Sequence, residues 1–312
     1  MPVRKRGVLM YLHEDKAVFK QMIQQVAEMS GNTEEFVEKD YYVTMFLHLL
    51  SEKVPEVVFK GGTSLSKCHK VINRFSEDID IAFCDIVSQG KRKKIKDCIT
   101  NTASELGMII PNLEEIRSRR DYNKYILQYE SVIEGSGFIV LPQIILETSY
   151  VTPAFPTVVL PMETILEECL VKIAPGDFFK IYGIATFKIK VQSLERTLAD
   201  KVFAICDYYI QGKATRYSRH LYDIHKLMSK VELNEEFREL VKVVRMARSS
   251  KENCPSAKDG VDIPQLIQRI ITEAYFKADY QELTSKILYE QVEYDVVIDS
   301  LKKFLELELM RE

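Results

Sequence analysis

The chain has 312 residues, 46% of them hydrophobic, with 43 basic and 46 acidic side chains and a formal net charge of −3. That length suits one large domain or two ordinary ones with their own cores, and the near-neutral balance excludes a uniformly basic nucleic-acid binder. No stretch approaches the roughly 20 apolar residues of a membrane span, and six scattered cysteines show neither zinc nor redox spacing.

Arg4-Lys5-Arg6 makes a basic start, but the apolar run after it stops at His13-Glu14-Asp15, too short for a signal-peptide core. The expectation is a soluble, cytoplasmic protein with reduced thiols. Val18, Met22, Ile23, Val26 and Met29 recur at helical spacing over residues 14–30, and Gly31 is a good stop. Asn32 or Thr33 can cap the next helix, which runs through Phe36, Val37, Tyr41, Met45, Leu47 and Leu50. Glu38-Lys39-Asp40 on that helix reads as an exposed charged face.

Pro55 closes the helical region, and Val57-Val58-Phe59 reads as a short buried strand delivering Gly61-Gly62-Thr63-Ser64. A glycine pair ahead of two hydroxyls lets backbone and side chains approach a phosphate, and a helix from Ser64 to Ile72 aims its free NH groups at the same place. The next strand, Asp78 to Phe83, returns alongside the first. In it Asp78 and Asp80 project from one face, while Ile79, Ile81 and Phe83 point into a core. Adjacent carboxylates repel, and a hard divalent cation, Mg2+ or Mn2+, removes that penalty while sharing triphosphate oxygens.

Basic runs at Lys91-Arg92-Lys93-Lys94, Arg117 to Arg120 and Lys213 to His220 are solvated faces or local contacts for RNA. A helix is expected from Lys91 to about Leu106. Two strands follow, Tyr122 to Glu130 and Phe138 to Tyr150, around the turn Glu134-Gly135-Ser136-Gly137. In the second, Ile144 and Leu146 take one face and Ile145 and Glu147 the other. An acid inside an apolar strand needs a partner: Glu147 is a third metal-site carboxylate or is bridged to a lysine or arginine.

Residues 153–161 form a connection with an extended segment, followed by a short helix near Met162 to Val171 and a last strand from Thr186 to Val191. From Ser193 onward the periodicity is helical, which divides the chain into domains 1–190 and 191–312. Ser193 to Tyr209 turns Leu194, Leu198, Val202 and Ile205 inward, with Thr197 and Lys201 four apart on a flank. Ser218 to Lys230 turns Leu221, Ile224 and Met228 inward, with Arg219 and Asp223 on another face. By pattern alone, Lys201 and Asp223 are equally well an interhelical salt bridge. Further helices are expected at 234–247, 264–276 and 280–309.

Lys60-Gly61-Gly62-Thr63-Ser64-Leu65, Arg74-Phe75-Ser76-Glu77-Asp78-Ile79-Asp80 and Ile145-Leu146-Glu147 together resemble the AbiEii/AbiGii-type nucleotidyltransferases, toxins of bacterial toxin-antitoxin and phage-defence systems. Thr197-Leu198-Ala199-Asp200-Lys201 and Arg219-His220-Leu221-Tyr222-Asp223-Ile224 continue the resemblance, and Glu38-Lys39-Asp40-Tyr41 is similar to the family's first helix. The motifs keep the family's order over about two thirds of the chain. The resemblance implies an α+β protein, a nucleotidyltransferase-fold mixed β-sheet domain followed by an α-helical C-terminal domain.

It further implies that Asp78, Asp80 and Glu147 hold the metal ions, although many relatives carry aspartate at the position of Glu147. Lys201 would contact the triphosphate, and Asp223 belongs to a motif needed for toxicity. Lys60, Gly61, Gly62, Thr63, Ser64, Arg74, Ser76 and Arg219 complete the nucleotide-binding set. His220 departs from the family pattern. The substrate would be a nucleoside triphosphate, the acceptor an RNA such as a tRNA 3′ end, and a cognate antitoxin the partner. A protein or small-molecule acceptor fits the same motifs. A non-catalytic GTP- or ATP-binding module fits them less well, since all three acids are present.

Overall fold

The computed structural model describes residues 10–76, 78–133, 141–174 and 176–310. In chain order its main elements are α1 (Lys16–Ser30), α2 (Glu34–Lys53), β1 (Val58–Lys60), α3 (Gly61–Lys67), β2 (Ile79–Phe83), α4 (Gln89–Glu105), β3 (Tyr122–Gln128) and β4 (Gln143–Pro153). They continue with β5 (Thr157–Met162), α5 (Ile165–Leu170), α6 (Phe178–Ile181), β6 (Phe187–Gln192), α7 (Leu194–Ile210), α8 (Arg219–Met228) and α9 (Glu235–Ser249). The last are α10 (Ile263–Thr272), α11 (Lys277–Glu282) and α12 (Tyr294–Glu306). Two compact units result. One comprises Met1–Phe59, Glu77–Val151 and Val159–Val191; the other comprises Lys60–Ser76, Thr152–Val158 and Gln192–Glu312.

The first unit is built on a sheet with strand order β3-β4-β2-β1-β6-β5. It is mixed: β1 runs parallel to β6, with Phe59 opposite Val191, and β3 runs antiparallel to β4 from Tyr122 opposite Ser149 to Gln128 opposite Gln143. Strand β4 alternates as its sequence requires. Ile144, Leu146, Thr148 and Tyr150 are buried, while Ile145, Glu147 and Ser149 on the other face stay partly accessible. The predicted glycine turn at 134–137 lies outside the described residues.

Local signals set the helix ends. Gly31 closes α1 with φ of 71°, a left-handed conformation natural to glycine, and the Thr33 side chain accepts from the Phe36 N–H to start α2. The expected exposed face on α2 is not there: Glu38, Lys39 and Asp40 are all buried. Glu38 accepts from the Ser131 hydroxyl at 2.6 Å and the Val132 N–H at 2.7 Å, and Asp40 accepts from the Ile165 N–H at 2.8 Å. These acids satisfy backbone donors of segments that approach from far along the chain, which periodicity within one helix cannot reveal.

The second unit is helical around a core formed by Leu198, Val202, Phe203 and Ile205 of α7, Leu221 and Ile224 of α8, Ile267 and Ile270 of α10, and Leu301 of α12. Leu65 of α3, with Val71 and Ile72 after it, belongs to the same core. Ser193 caps α7, accepting from the Arg196 N–H. The single helix expected over 280–309 is instead α11, a 3-10 turn at Thr284–Ile287 and α12. Residues 287–289 between them pair with 73–75: the Phe75 N–H donates to Ile287 at 2.8 Å and the Tyr289 N–H to Asn73 at 3.0 Å. Among the described residues no helix is long and apolar enough to cross a membrane, and all six cysteines are free.

Candidate functional site

In the first unit β2 lies between β4 and β1, so the strand carrying Asp80 neighbours the strand carrying Glu147. Asp78, Asp80 and Glu147 are each partly accessible, whereas Ile79, Ile81 and Phe83 are buried as the alternation of the strand demands. Tyr122, at the start of β3, feels the charge of all three acids. Burial first, then its hydrogen bond to Glu147 and the charge of Glu147, then the charges of Asp80 and Asp78, push its phenol well above the ordinary tyrosine value.

Lys124 stands directly opposite Glu147 in the β3 and β4 register, yet among the described residues Glu147 takes part in no salt bridge. No group of three acidic, histidine or cysteine side chains among the described residues is placed to hold a metal ion. The donor chemistry is nevertheless that of a hard cation. Three oxygen ligands of like charge suit Mg2+, which is bound through one or two carboxylates and completes its shell with water and substrate phosphate.

In the second unit the glycine pair does two different jobs. Gly61 has φ of +78°, in the left-handed region. Gly62 is a close approach: a Cβ there would lie 2.6 Å from Arg74 Nη2 and 2.7 Å from Ser76 Oγ. The two hydroxyls are engaged within the turn, Ser64 donating to the Gly61 carbonyl at 2.9 Å and Thr63 sharing a 2.9 Å hydrogen bond with Ser76. Helix α3 begins at Gly61, ahead of the expected Ser64, with Lys60 at its N-cap position.

The guanidinium held against Gly62 forks onto Asp223 of α8, with Nε to Oδ1 at 2.7 Å and Nη2 to Oδ2 at 2.8 Å. Lys201 of α7 adds a third bond to Asp223 Oδ2 at 2.6 Å. All three side chains are buried. The interhelical salt bridge considered from the sequence thus exists, and Arg74 joins it. Burial alone would raise the Asp223 carboxyl, but Arg74 and then Lys201 outweigh it and hold it far below the usual carboxylate range.

The cluster is short of negative charge. Lys201 is pushed below the ordinary lysine value by burial, and the nearby Arg74 and Arg219 add to that against the pull of Asp223. His220 is likewise driven well down, by burial and then by Lys201 and Arg219, and so is neutral at pH 7. Its Nδ1 is buried without a hydrogen-bond partner among the described residues. Two buried cations on a single carboxylate, with the charge of Arg219 felt by Lys201, make a group that an incoming polyanion would relieve.

A neighbouring network escaped the sequence reading. Asp200 accepts from Arg196 Nε at 3.0 Å and Arg248 Nη1 at 3.1 Å, and Arg248 Nη2 reaches Asp207 at 2.6 Å, joining α7 to α9. The four-residue spacing of Arg196 and Asp200 was a usable signal, but nothing in the sequence pointed to Arg248. Tyr122 was likewise visible only as the first residue of a strand.

Carboxylates on neighbouring strands of a mixed sheet, in a chain that also carries a cation cluster behind a glycine turn, are the equipment of a nucleotidyl transferase. The chain belongs to the AbiEii family: the model of the nucleotidyl transferase AbiEii toxin of type IV toxin-antitoxin systems matches residues 47–306. Among solved structures it is similar to MenT4, a nucleotidyltransferase toxin from Mycobacterium tuberculosis H37Rv, at 17% identity and a TM-score of 0.49, over 95% of this chain and 90% of that one. A comparison with curated proteins finds no match.

Proposed function

We propose that this toxin-family transferase moves a nucleoside monophosphate from a nucleoside triphosphate to an acceptor hydroxyl on RNA, with tRNA 3′ ends the first acceptor to test, and that it works in the bacterial cytoplasm opposite a cognate antitoxin, in phage defence among other settings. The observation that carries this reading is that partly accessible Asp80 and Glu147 are carried by the neighbouring strands β2 and β4, with Asp78 just ahead of β2 and the charge of all three felt by Tyr122. Oxygen ligands alone, with no sulfur or imidazole, suit Mg2+ or Mn2+. Bound there, the cation would offset charge on the triphosphate and on the attacking and leaving oxygens.

The chain's own groups do the rest. Glu147 or Asp80 takes the proton of the acceptor hydroxyl as its oxygen bonds to the α-phosphorus. The bond from the α-phosphorus to the bridging oxygen breaks, and pyrophosphate leaves. Lys201, short of negative charge as it stands, offsets the charge developing on the pyrophosphate, and Arg219 supports it. Lys60, Gly61 and Gly62 supply a turn in which backbone meets phosphate, with Thr63, Ser64 and Ser76 fixing its shape. Arg74 and Asp223 hold Lys201 in place.

The test is incubation of the protein with Mg2+, each α-labelled nucleoside triphosphate in turn, and total bacterial RNA, with Asp80→Ala alongside. Label on tRNA-sized RNA with the intact protein only is the expected result, and it names the nucleotide. Label on protein instead would reject the RNA acceptor, and binding without transfer would reject catalysis.

A further inference from the structure

Two basic runs that stand apart in the sequence become one surface in the first unit. Arg92, the inward member of the run on α4, is buried and donates to the carbonyls of Val87 at 2.8 Å and of Arg119 and Arg120 at 3.3 Å each, and to Asp121 at 3.0 Å. One turn further along α4, Lys96 donates to the Ile116 carbonyl at 2.9 Å. The loop so tied down is also locked on itself. Buried Asn123 accepts from the Arg117 N–H and donates to the Arg117 carbonyl, both at 3.1 Å.

Apart from the bond to Asp121, these bonds use the backbone of the loop; Arg117 and Arg120 each donate through Nη1 to carbonyls within residues 114–116, and both side chains, with Arg119, remain exposed. Lys91, Lys93 and Lys94 on α4, and Arg117, Arg119, Arg120 and Lys124, are all exposed. Residues 89–96 and 116–124 together hold nine basic side chains and one acid, Asp121, which is bonded to Arg92. Acids do flank the surface: Glu56 pairs with Lys91 at 2.8 Å, and Asp97, Glu114 and Glu115 lie just outside these stretches. Lys93, Lys94 and Arg119 hold no ion pair among the described residues. The basic loop runs straight into Tyr122, two residues after Arg120, whose phenol feels the charge of the three carboxylates.

We infer that this stitched surface of α4 and residues 117–124 binds the phosphodiester backbone of the acceptor RNA and delivers its end toward the carboxylates. The inference rests on the RNA-transfer reading above and adds to it the protein face that holds the acceptor. A rigid set of lysines and arginines is what backbone binding needs, because phosphate contacts position a strand without reading its sequence. It also reconciles an overall charge of −3 with an RNA substrate, since the positive field is local.

The experiment measures binding of fluorescently labelled bulk tRNA by anisotropy over a range of salt concentrations. The triple variant Lys93→Ala/Lys94→Ala/Arg119→Ala is set against the intact chain and against a control triple from the second unit, Lys230→Ala/Lys302→Ala/Lys303→Ala. The first triple is expected to weaken binding roughly tenfold or more at low salt, and to flatten the dependence of log affinity on log salt by about 0.7–0.9 for each phosphate no longer neutralised. Nucleoside triphosphate affinity and far-UV circular dichroism should stay as they are. Equal losses in both triples, or no loss in the first, would overturn the surface. Transfer of label to RNA is followed in parallel: if the first triple labels RNA as well as the intact chain does, the surface fails and the transfer reading stands. If the intact chain labels no RNA, the transfer reading fails and the inference with it.

Discussion

Arg74 and Asp223, 149 residues apart, form a two-pronged ion pair at 2.7 and 2.8 Å in which neither side chain reaches solvent. Lys201 completes the group, so removing Asp223 would strand two buried cations. Asp223→Ala is expected to lose about 3–5 kcal/mol of stability, the usual consequence of leaving a buried ion uncompensated, measured by urea denaturation at pH 7. The carboxyl is held far below the ordinary aspartate value. Its contribution is therefore full above the unfolded value of about 3.9 and is lost as pH falls below it toward the folded one. Asp223→Ala should close its stability gap with the intact chain on acidification.

Removing Lys201 is a different experiment, because Arg74 still satisfies both oxygens of Asp223. Lys201→Met should therefore be destabilised much less than Asp223→Ala. Nucleoside triphosphate affinity should fall roughly ten- to a hundredfold, corresponding to removal of a charge-assisted hydrogen bond of about 1.5–3 kcal/mol. Isothermal titration checks the affinity. Unchanged affinity with a large fall in melting temperature would reduce Lys201 to a salt-bridge partner.

What the sequence made legible was whatever is decided within one element. Gly31, Thr33 and Ser193 marked helix ends, and the alternation of residue types along β4 was enough to put Glu147 and Leu146 on opposite faces. What it hid was decided by partners from elsewhere. Glu38, Lys39 and Asp40 looked solvated because the donors that bury Glu38 and Asp40 come from residues 131–132 and 165. Helical periodicity across 280–309 concealed the break at 287–289, made by backbone pairing with 73–75. The two hydroxyls after the glycine pair were read as phosphate ligands by type; that Ser64 bonds back to the Gly61 carbonyl and Thr63 to Ser76, from a later segment, was not legible.

Glu38 offers a pH test with the opposite sign to Asp223. Burial raises its carboxyl above the ordinary value despite the hydrogen bonds from Ser131 and Val132. The folded chain thus holds this proton more tightly than the unfolded one, so its contribution is most favourable below the unfolded value of about 4.3 and declines as pH rises through the folded one. Glu38→Gln carries no charge, keeps its one carbonyl oxygen for the Val132 N–H and turns its NH2 toward the Ser131 hydroxyl, which can accept in place of donating. It should match or exceed the intact chain in melting temperature at pH 7, and that advantage should vanish near pH 4.

Gly62→Ala tests the close approach behind the cation cluster. A methyl group 2.6 Å from Arg74 Nη2 and 2.7 Å from Ser76 Oγ must displace the guanidinium or the turn. The expected loss is about 1–3 kcal/mol, together with weaker triphosphate binding, because the displaced arginine is the one that holds Asp223. A second substitution separates this from a generic glycine effect. Gly61→Ala meets backbone strain at φ of +78°, costing about 1–2 kcal/mol. If Gly62→Ala melts and binds like the intact chain, the cluster tolerates movement and the packing argument fails.

The acids around Tyr122 make a metal prediction that does not depend on turnover. Asp80 is partly accessible and asparagine has nearly its shape, so Asp80→Asn should fold normally, with an apo melting temperature close to that of the intact chain. Adding Mg2+ or Mn2+ at about a hundred times its dissociation constant should stabilise the intact chain by about 2.7 kcal/mol, and Asp80→Asn should lose most of that gain along with transfer activity. The phenol supplies an independent readout. A cation among Glu147, Asp80 and Asp78 would change the charge that Tyr122 feels, so its ring resonance at neutral pH, followed by NMR of carbon-labelled tyrosine with Tyr122→Phe for assignment, should shift when Mg2+ is added. Equal metal-induced stabilisation of both chains, with a Tyr122 resonance indifferent to Mg2+, would remove these carboxylates from the metal site.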